Sequence, residues 1–305
     1  MVSGTMTDLP SPRRRVDPAF PLLSALLVLT WSTGFLGVRW MSDATPILTI
    51  LFWRCLMSGL ILLPFALTQK PRLTRRLMAE QVLFGALGMF LYLGGFASAI
   101  GLGVPTGLVA LIADMLPLGV AVLSGPLLGQ PLTARQWLGT GVAVAGVALV
   151  SGDGVRLGTA PLWALALPVG GTLCFALAAV LQRRLRPDAT PVLHSVCLQS
   201  LTAAALFGLV GLPMGGVMPQ ATLGFGLGIG WLVLVATFGG YGLYYLCLAR
   251  FAPARVTSVL YLSPPVTMLW ATLLWGEPLT ALMMLGTAIT LAGVTLAAGQ
   301  TPATT

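Results

Sequence analysis

Two charged residues stand deep inside apolar stretches of the sequence, Arg54 and Asp114. A carboxylate in such surroundings is costly unless it is paired, hydrated or protonated. Asp114 is therefore a candidate for carrying a coupling proton or for anchoring a solute's ammonium group. It could also be a protonated acid hydrogen-bonded to a neighbouring helix. Arg54 is a candidate for binding a solute carboxylate, for pairing with Asp114, or for a purely structural role. Aromatic residues form a second set. Trp31 and Phe35, Tyr92 and Phe96, and Tyr241 and Tyr245 are each spaced four apart, which puts each pair on one helical face. Such faces suit the wall of a cavity for an amphipathic or aromatic solute. They also suit ordinary helix packing.

The elements that position these residues follow from composition. The chain is 57% hydrophobic and 8% charged, against roughly 25% charged in soluble domains. Its core solvent is a bilayer. Apolar segments run at about 20–38, 46–68, 83–101, 104–126, 131–151, 160–182, 189–211, 223–249, 255–275 and 279–299. Each is near the ~20 residues a spanning helix needs. Of the 16 basic residues, Arg39 and Arg156 fall on one side, Arg54 lies within the second segment, and the other 13 fall on the opposite side. By the positive-inside rule that basic side, with both termini, is cytoplasmic. Asp114 is then ~15 Å from the outer end of the fourth helix and Arg54 ~12 Å from the outer end of the second, at 1.5 Å per residue.

The chain also contains itself twice. Pro117–Leu149 recurs at Pro264–Leu296 with a constant offset of 147, with Pro131 to Ala134 matching Pro278 to Ala281, and Leu138 to Thr140 matching Leu285 to Thr287. Asp43-Ala44-Thr45-Pro46 recurs as Asp188-Ala189-Thr190-Pro191, on the opposite expected side. Five crossings per copy is odd, so the second copy enters inverted, as in secondary transporters with midplane sites. The expected fold is all-α, ten transmembrane helices in a 5+5 inverted repeat around a central cavity. The units are a disordered tail 1–18, a first repeat 19–151, a linker 152–159, a second repeat 160–299 and a tail 300–305. The counterpart of Asp114 is Tyr261, and that of Arg54 is Gln199 by the Asp-Ala-Thr-Pro offset of 145. Charge therefore sits in the first copy with neutral polar residues opposite, which fits a site for an asymmetric ligand.

These residues carry a resemblance. Trp31-Ser32-Thr33-Gly34-Phe35, Arg54, Pro117 and Pro264, and Gly276-Glu277-Pro278-Leu279-Thr280, in that order and over about residues 20–299, resemble the ten-helix EamA-type branch of the drug/metabolite transporter superfamily. The resemblance implies a basket of two inverted halves, a cavity lined by helices 1, 3, 4, 6, 8 and 9, and export of amino acids or other small metabolites. The chain departs from the family at Gln130, where Glu is frequent.

Other features are read as structural. Pro117 and Pro264 mark hinges. Glu277 and Thr280 are expected to start the tenth helix, and Thr133 with Gln136 to form a capping box at the fifth. His194 is expected at the membrane interface, with a proton relay as the alternative. The glycines of 139–146 and 286–293 are expected at close helix contacts, and the four cysteines as buried thiols. The net charge of +8 is clustered in loops, so nucleic acid is not the partner. No nucleophile–base pair, phosphate loop or metal spacing occurs, so no cofactor, metal or enzymatic activity is expected. The expectation is a secondary transporter, an exporter by alternating access with a proton as candidate coupling ion. The chain sits in an inner membrane as monomer or homodimer. A non-transporting sensor or a membrane enzyme is the alternative.

Overall fold

A computed structural model describes residues 19–68, 74–157, 160–185, 191–219, 221–251 and 253–298. The 1–18 and 300–305 tails, Asp188 and the side chain of Tyr245 lie outside the described residues. Helices make ten passes: α1 (Ala19–Ser42), α2 (Ile47–Thr68), α3 (Arg75–Gly101), α4 (Thr106–Leu128), α5 (Ala134–Leu157), α6 (Leu162–Leu185), α7 (Val192–Gly211), α8 (Leu223–Arg250), α9 (Pro253–Trp275) and α10 (Ala281–Ala298). Among the described residues there is no strand. Among the described residues eight helical stretches are long and apolar enough to cross a membrane, and α10 is a shorter apolar helix.

Local chemistry sets several helix ends. Thr74 and Thr222 each accept the backbone N–H three residues on and open α3 and α8, as N-caps do. Thr133 and Gln136 form the capping box: Gln136 Oε1 accepts the Thr133 N–H at 2.9 Å, and Thr133 Oγ1 accepts the Gln136 N–H at 3.3 Å. Gly129 and Gly276 end α4 and α9 at φ +67° and +66°, left-handed values that a side chain rarely adopts.

Packing pairs α2 with its counterpart α7, and α5 with its counterpart α10. Gly59 of α2 meets Leu201 of α7, and Phe52 meets Gly208, so the two run antiparallel. α5 and α10 are also antiparallel. A side chain at Gly139 would strike Ala297, and one at Gly146 would strike the Gly286 carbonyl. In a bilayer, where lipid is as apolar as leucine, such close backbone contact is what joins helices.

Two irregularities recur in both copies. α3 and α8 each contain a π-helical stretch, Ala86–Leu91 and Trp231–Gly239. α4 and α9 are each interrupted. α4 consists of α4a (Thr106–Ala113) and α4b (Leu116–Leu128), and α9 of α9a (Pro253–Leu260) and α9b (Ser263–Trp275). The sequence suggested continuous segments hinged at the prolines. The breaks instead fall at 114–115 and 261–262, just ahead of Pro117 and Pro264. The prolines occupy the first turn of each second half, where a missing N–H costs nothing.

Candidate functional site

The interruption of α4 is closed by a tight turn in which the Met115 N–H donates to the Ile112 carbonyl at 3.2 Å. At the same place in α9 the Leu262 N–H donates to Val259 at 3.0 Å. The carbonyl of Ile112 also accepts the hydroxyl of Thr172 on α6, at 3.4 Å. Asp114 is the C-terminal cap of α4a, and its Oδ2 is buried without a hydrogen-bond partner. A carboxylate at the negative end of a helix favours a cation or a proton beside it. Tyr261, its counterpart, is 8% exposed, and both Tyr261 and Tyr92 lie within electrostatic range of Asp114.

Arg54 is 8% exposed on α2. Its Nε donates to Thr237 Oγ1 on α8 at 3.3 Å, while Nη1 is buried with no partner. Thr237 in turn donates to the Leu232 carbonyl five residues back, at 2.8 Å. That reach is the π-helical register, which occurs mostly as single-turn bulges and often at functional sites. Arg54 lines a small cavity of about 20 Å³ with Cys55, Ser58, Gly88, Met89, Tyr92, Leu93, Ser200, Thr237 and Tyr241. That volume is about what one water needs. Tyr92 follows the π stretch of α3 directly, and Tyr241 comes two residues after that of α8. The two π stretches thus deliver one tyrosine each to the guanidinium.

Arg54 and Asp114 do not form the direct pair the sequence allowed. Among the described residues the ion pairs are Arg39–Asp43, Arg39–Glu277 and Arg76–Glu80. Tyr92 lines the Arg54 cavity and lies within electrostatic range of both charges.

The aromatic candidates converge unevenly. Trp31 meets Tyr241 edge-on with centroids 5.7 Å apart, Phe35 meets Phe96 at 5.0 Å, and Tyr92 meets Phe96 at 5.5 Å. Phe35 and Phe96 are 4% and 3% exposed within the core, so these two serve packing. Gln199 lies beside Ser200 and donates to Gln81 Oε1 at 2.8 Å. The sequence reading missed Thr237, Ser58, Ser200 and Gln81. Thr237 is announced only by the Gly239–Gly240 pair that follows it, and Gln81 only as an uncharged polar residue within an apolar run.

Glu277 corrects another expectation. It does not start α10, whose first turn is capped by Thr280 Oγ1 accepting the Met283 N–H at 3.1 Å. Instead the carboxylate reaches across to α4a, accepting the Thr106 N–H at 2.7 Å and the Thr106 hydroxyl at 2.6 Å. The first turn of α4a offers unpaired N–H groups and a positive dipole end, which suit a carboxylate better than α10, where Thr280 already caps. Arg39 joins this cluster at 3.6 Å from Glu277 and stacks over Trp275. His194, expected at the interface, is 2% exposed within the bundle.

A larger concavity of about 640 Å³ lies between α1, α8 and α9, lined by Leu29, Leu36, Trp40, Trp231, Trp270, Leu274 and Trp275, with Thr33 as its polar side chain. Its exposed apolar lining is what a lipid-facing groove requires, and it lacks the convergent polar groups of a solute site.

Comparison with known proteins agrees with this architecture. The EamA-like transporter family matches residues 20–152 and 162–299, one copy each. YedA of Escherichia coli (strain K12), an uncharacterized inner membrane transporter, is 26% identical over 93% of this chain and 91% of its own. A probable amino-acid metabolite efflux pump of the same organism is 23% identical over 90% and 92%. A probable terminal-alkyne amino-acid exporter of Streptantibioticus cattleyicolor is 28% identical over 89% and 90%. A solved crystal structure shares the fold with TM-score 0.60 at 20% identity, covering 90% of this chain and 96% of the other.

Proposed function

The chain belongs to the EamA-like transporter family, and on that premise we propose that it exports small, amino-acid-like metabolites across an inner membrane by alternating access. The observation that carries this reading is the buried, partnerless Nη1 of Arg54. A guanidinium is always charged and offers planar, paired donors. Inside a bilayer an unmade hydrogen bond on such a group is costly. A carboxylate entering the cavity supplies the missing acceptor and the counter-charge together. Tyr92 and Tyr241, which line the cavity with Arg54, bring hydroxyls that can complete the oxygen's coordination. Asp114, at the negative end of α4a, takes either the solute's ammonium or a proton.

The antiparallel packing of α2 with α7 and of α5 with α10 supports an inverted repeat, and the paired breaks in α4 and α9 support a midplane at their level. Loop charge supports cytoplasmic termini. The cavity holds about one water's volume, so a solute enters only when the halves rock apart. Names of relatives that export amino-acid metabolites support the solute class.

Flux of an amino-acid panel in proteoliposomes tests the reading, with carboxamide analogues beside each acid. Acids should be carried and their amides not. Arg54→Gln, which installs the counterpart residue Gln199, should lower transport at least ~100-fold, the scale of a lost charge-assisted contact of ~3 kcal/mol. Equal transport of acids and amides, or full activity of Arg54→Gln, would remove Arg54 from the site.

A further inference from the structure

Arg54 is not the only buried donor left without a partner. Gln81 on α3 is fully buried, and its Nε2 has no hydrogen-bond partner; Ser58 Oγ on α2 and Ser195 Oγ on α7 are buried and partnerless too. These atoms are not scattered. Ser58 stands one turn from Arg54, and Ser195 one turn from Gln199, each pair on one helical face. Ser58 and Ser200 line the Arg54 cavity, Ser200 adjoins Gln199, and Gln199 donates to Gln81 at 2.8 Å. The result is a series of polar groups on α2, α3 and α7, set at successive levels from Arg54 toward the end of the bundle where α3 and α7 begin. That end carries most of the arginines.

The depth of these groups follows from the packing. Gly59 touches Leu201, so these two lie at one level. Arg54 is five residues from Gly59 and Gln199 is two from Leu201 in the opposite direction, a separation of ~10 Å along the antiparallel pair. Two polar stations therefore stand at different depths. At the first a guanidinium is steadied by Thr237 of α8. At the second a carboxamide is steadied by Gln199 of α7. Each leaves one NH2 nitrogen without a partner. Gly85 holds the pair close, since a side chain there would come within 2.8 Å of the Gln199 Cα. A buried amide N–H without an acceptor is costly in a bilayer interior. Nothing in the packing requires it.

We propose that Gln81, Gln199 and Ser195 form a loading site that receives the solute's carboxylate on the arginine-rich side before it passes to Arg54. The inference rests on the transporter reading above. Neutral donors bind a carboxylate more weakly than a guanidinium, so the series runs from a weak site to a strong one. A solute entering from the arginine-rich side would meet the weak station first and would not be trapped there.

Two measurements test it. Gln81→Met and Gln199→Met keep length and volume but remove the amide. For the acids carried by the wild type, KM for loading from the arginine-rich side should rise about tenfold, the value of one lost hydrogen bond to a charged group. KM for loading from the other side should not change. An equal change from both sides, or none, overturns the proposal. Ser195→Cys, in a background lacking Cys55, Cys174, Cys197 and Cys247, provides a readout independent of flux. A membrane-impermeant thiosulfonate should label it from the arginine-rich side, and sodium acetate should slow labelling where acetamide does not. A thiol unreactive from that side, or one acetate fails to protect, also overturns it. Labelling and protection as expected, with no amino acid carried by the wild type, would leave the loading site standing and sink the proposed solute class instead.

Discussion

The two interrupted helices were written from one template, and they now differ at each point where chemistry could enter. Both break two or three residues before a proline, and both close the break with the same tight turn. At the break α4 carries Asp114 and α9 carries Tyr261. At the start of α4a Thr106 gives its N–H and hydroxyl to Glu277, and Gly107 admits Met268 of α9b. The mirror positions are Pro253, which has no N–H to give, and Gln130, which has no charge. Among the described residues α9a and α4b make no contact as extensive as that between α4a and α9b. Backbone geometry has thus stayed common to the two copies, while charge and clamping have become one-sided. The clamp is present at only one end, the arginine-poor one.

What the copies share should be the least tolerant of change. Gly293→Val would drive a side chain into the backbone of Ala143 and the carbonyl of Gly139, and neither atom can step aside. The expected loss exceeds ~4 kcal/mol, the range reserved for structural collapse. It would appear as absence of a monodisperse peak in detergent. A well-folded Gly293→Val protein would mean that α5 and α10 do not meet through their glycines.

What separates the copies should be tolerated by the fold and felt in the transport cycle. Asp114→Asn keeps shape while removing the charge. If Asp114 carries the coupling proton, solute exchange should persist and accumulation driven by a pH gradient should fall at least ~10-fold, the effect of losing ~1.4 kcal/mol of coupling. If it holds the solute's ammonium, exchange and accumulation fall together. Unchanged accumulation would leave the break in α4 no more chemical than that in α9.

The smallest effect sharpens the clamp comparison. Glu277→Gln weakens two charge-assisted hydrogen bonds, one of them to a backbone N–H, and should lower thermal stability in detergent by about 1–3 kcal/mol. Gln130→Glu should change it by less than ~0.5 kcal/mol, because Pro253 offers the new carboxylate no donor. Equal effects of the two substitutions would erase the asymmetry.

Much of this was legible in the sequence. Apolar run lengths fixed the crossings, because a bilayer of set thickness demands them. The constant offset of 147 fixed the duplication, and with it the pairing of Asp114 with Tyr261. Pro117 and Pro264, expected as hinges, instead stand two to three residues after the breaks in α4 and α9, in a first turn where a missing N–H costs nothing. The partners of these residues were not legible. No local pattern says that Glu277 serves Thr106 rather than its own helix, since 171 residues separate them. Nor does any local pattern say that Tyr92 shares the Arg54 cavity, or that Gln81 is left with a free N–H. Depth along a helix can be counted from the chain. Which face turns toward which neighbour depends on how the helices pack, and the π stretches of α3 and α8 rotate those faces in a way no residue spacing announces.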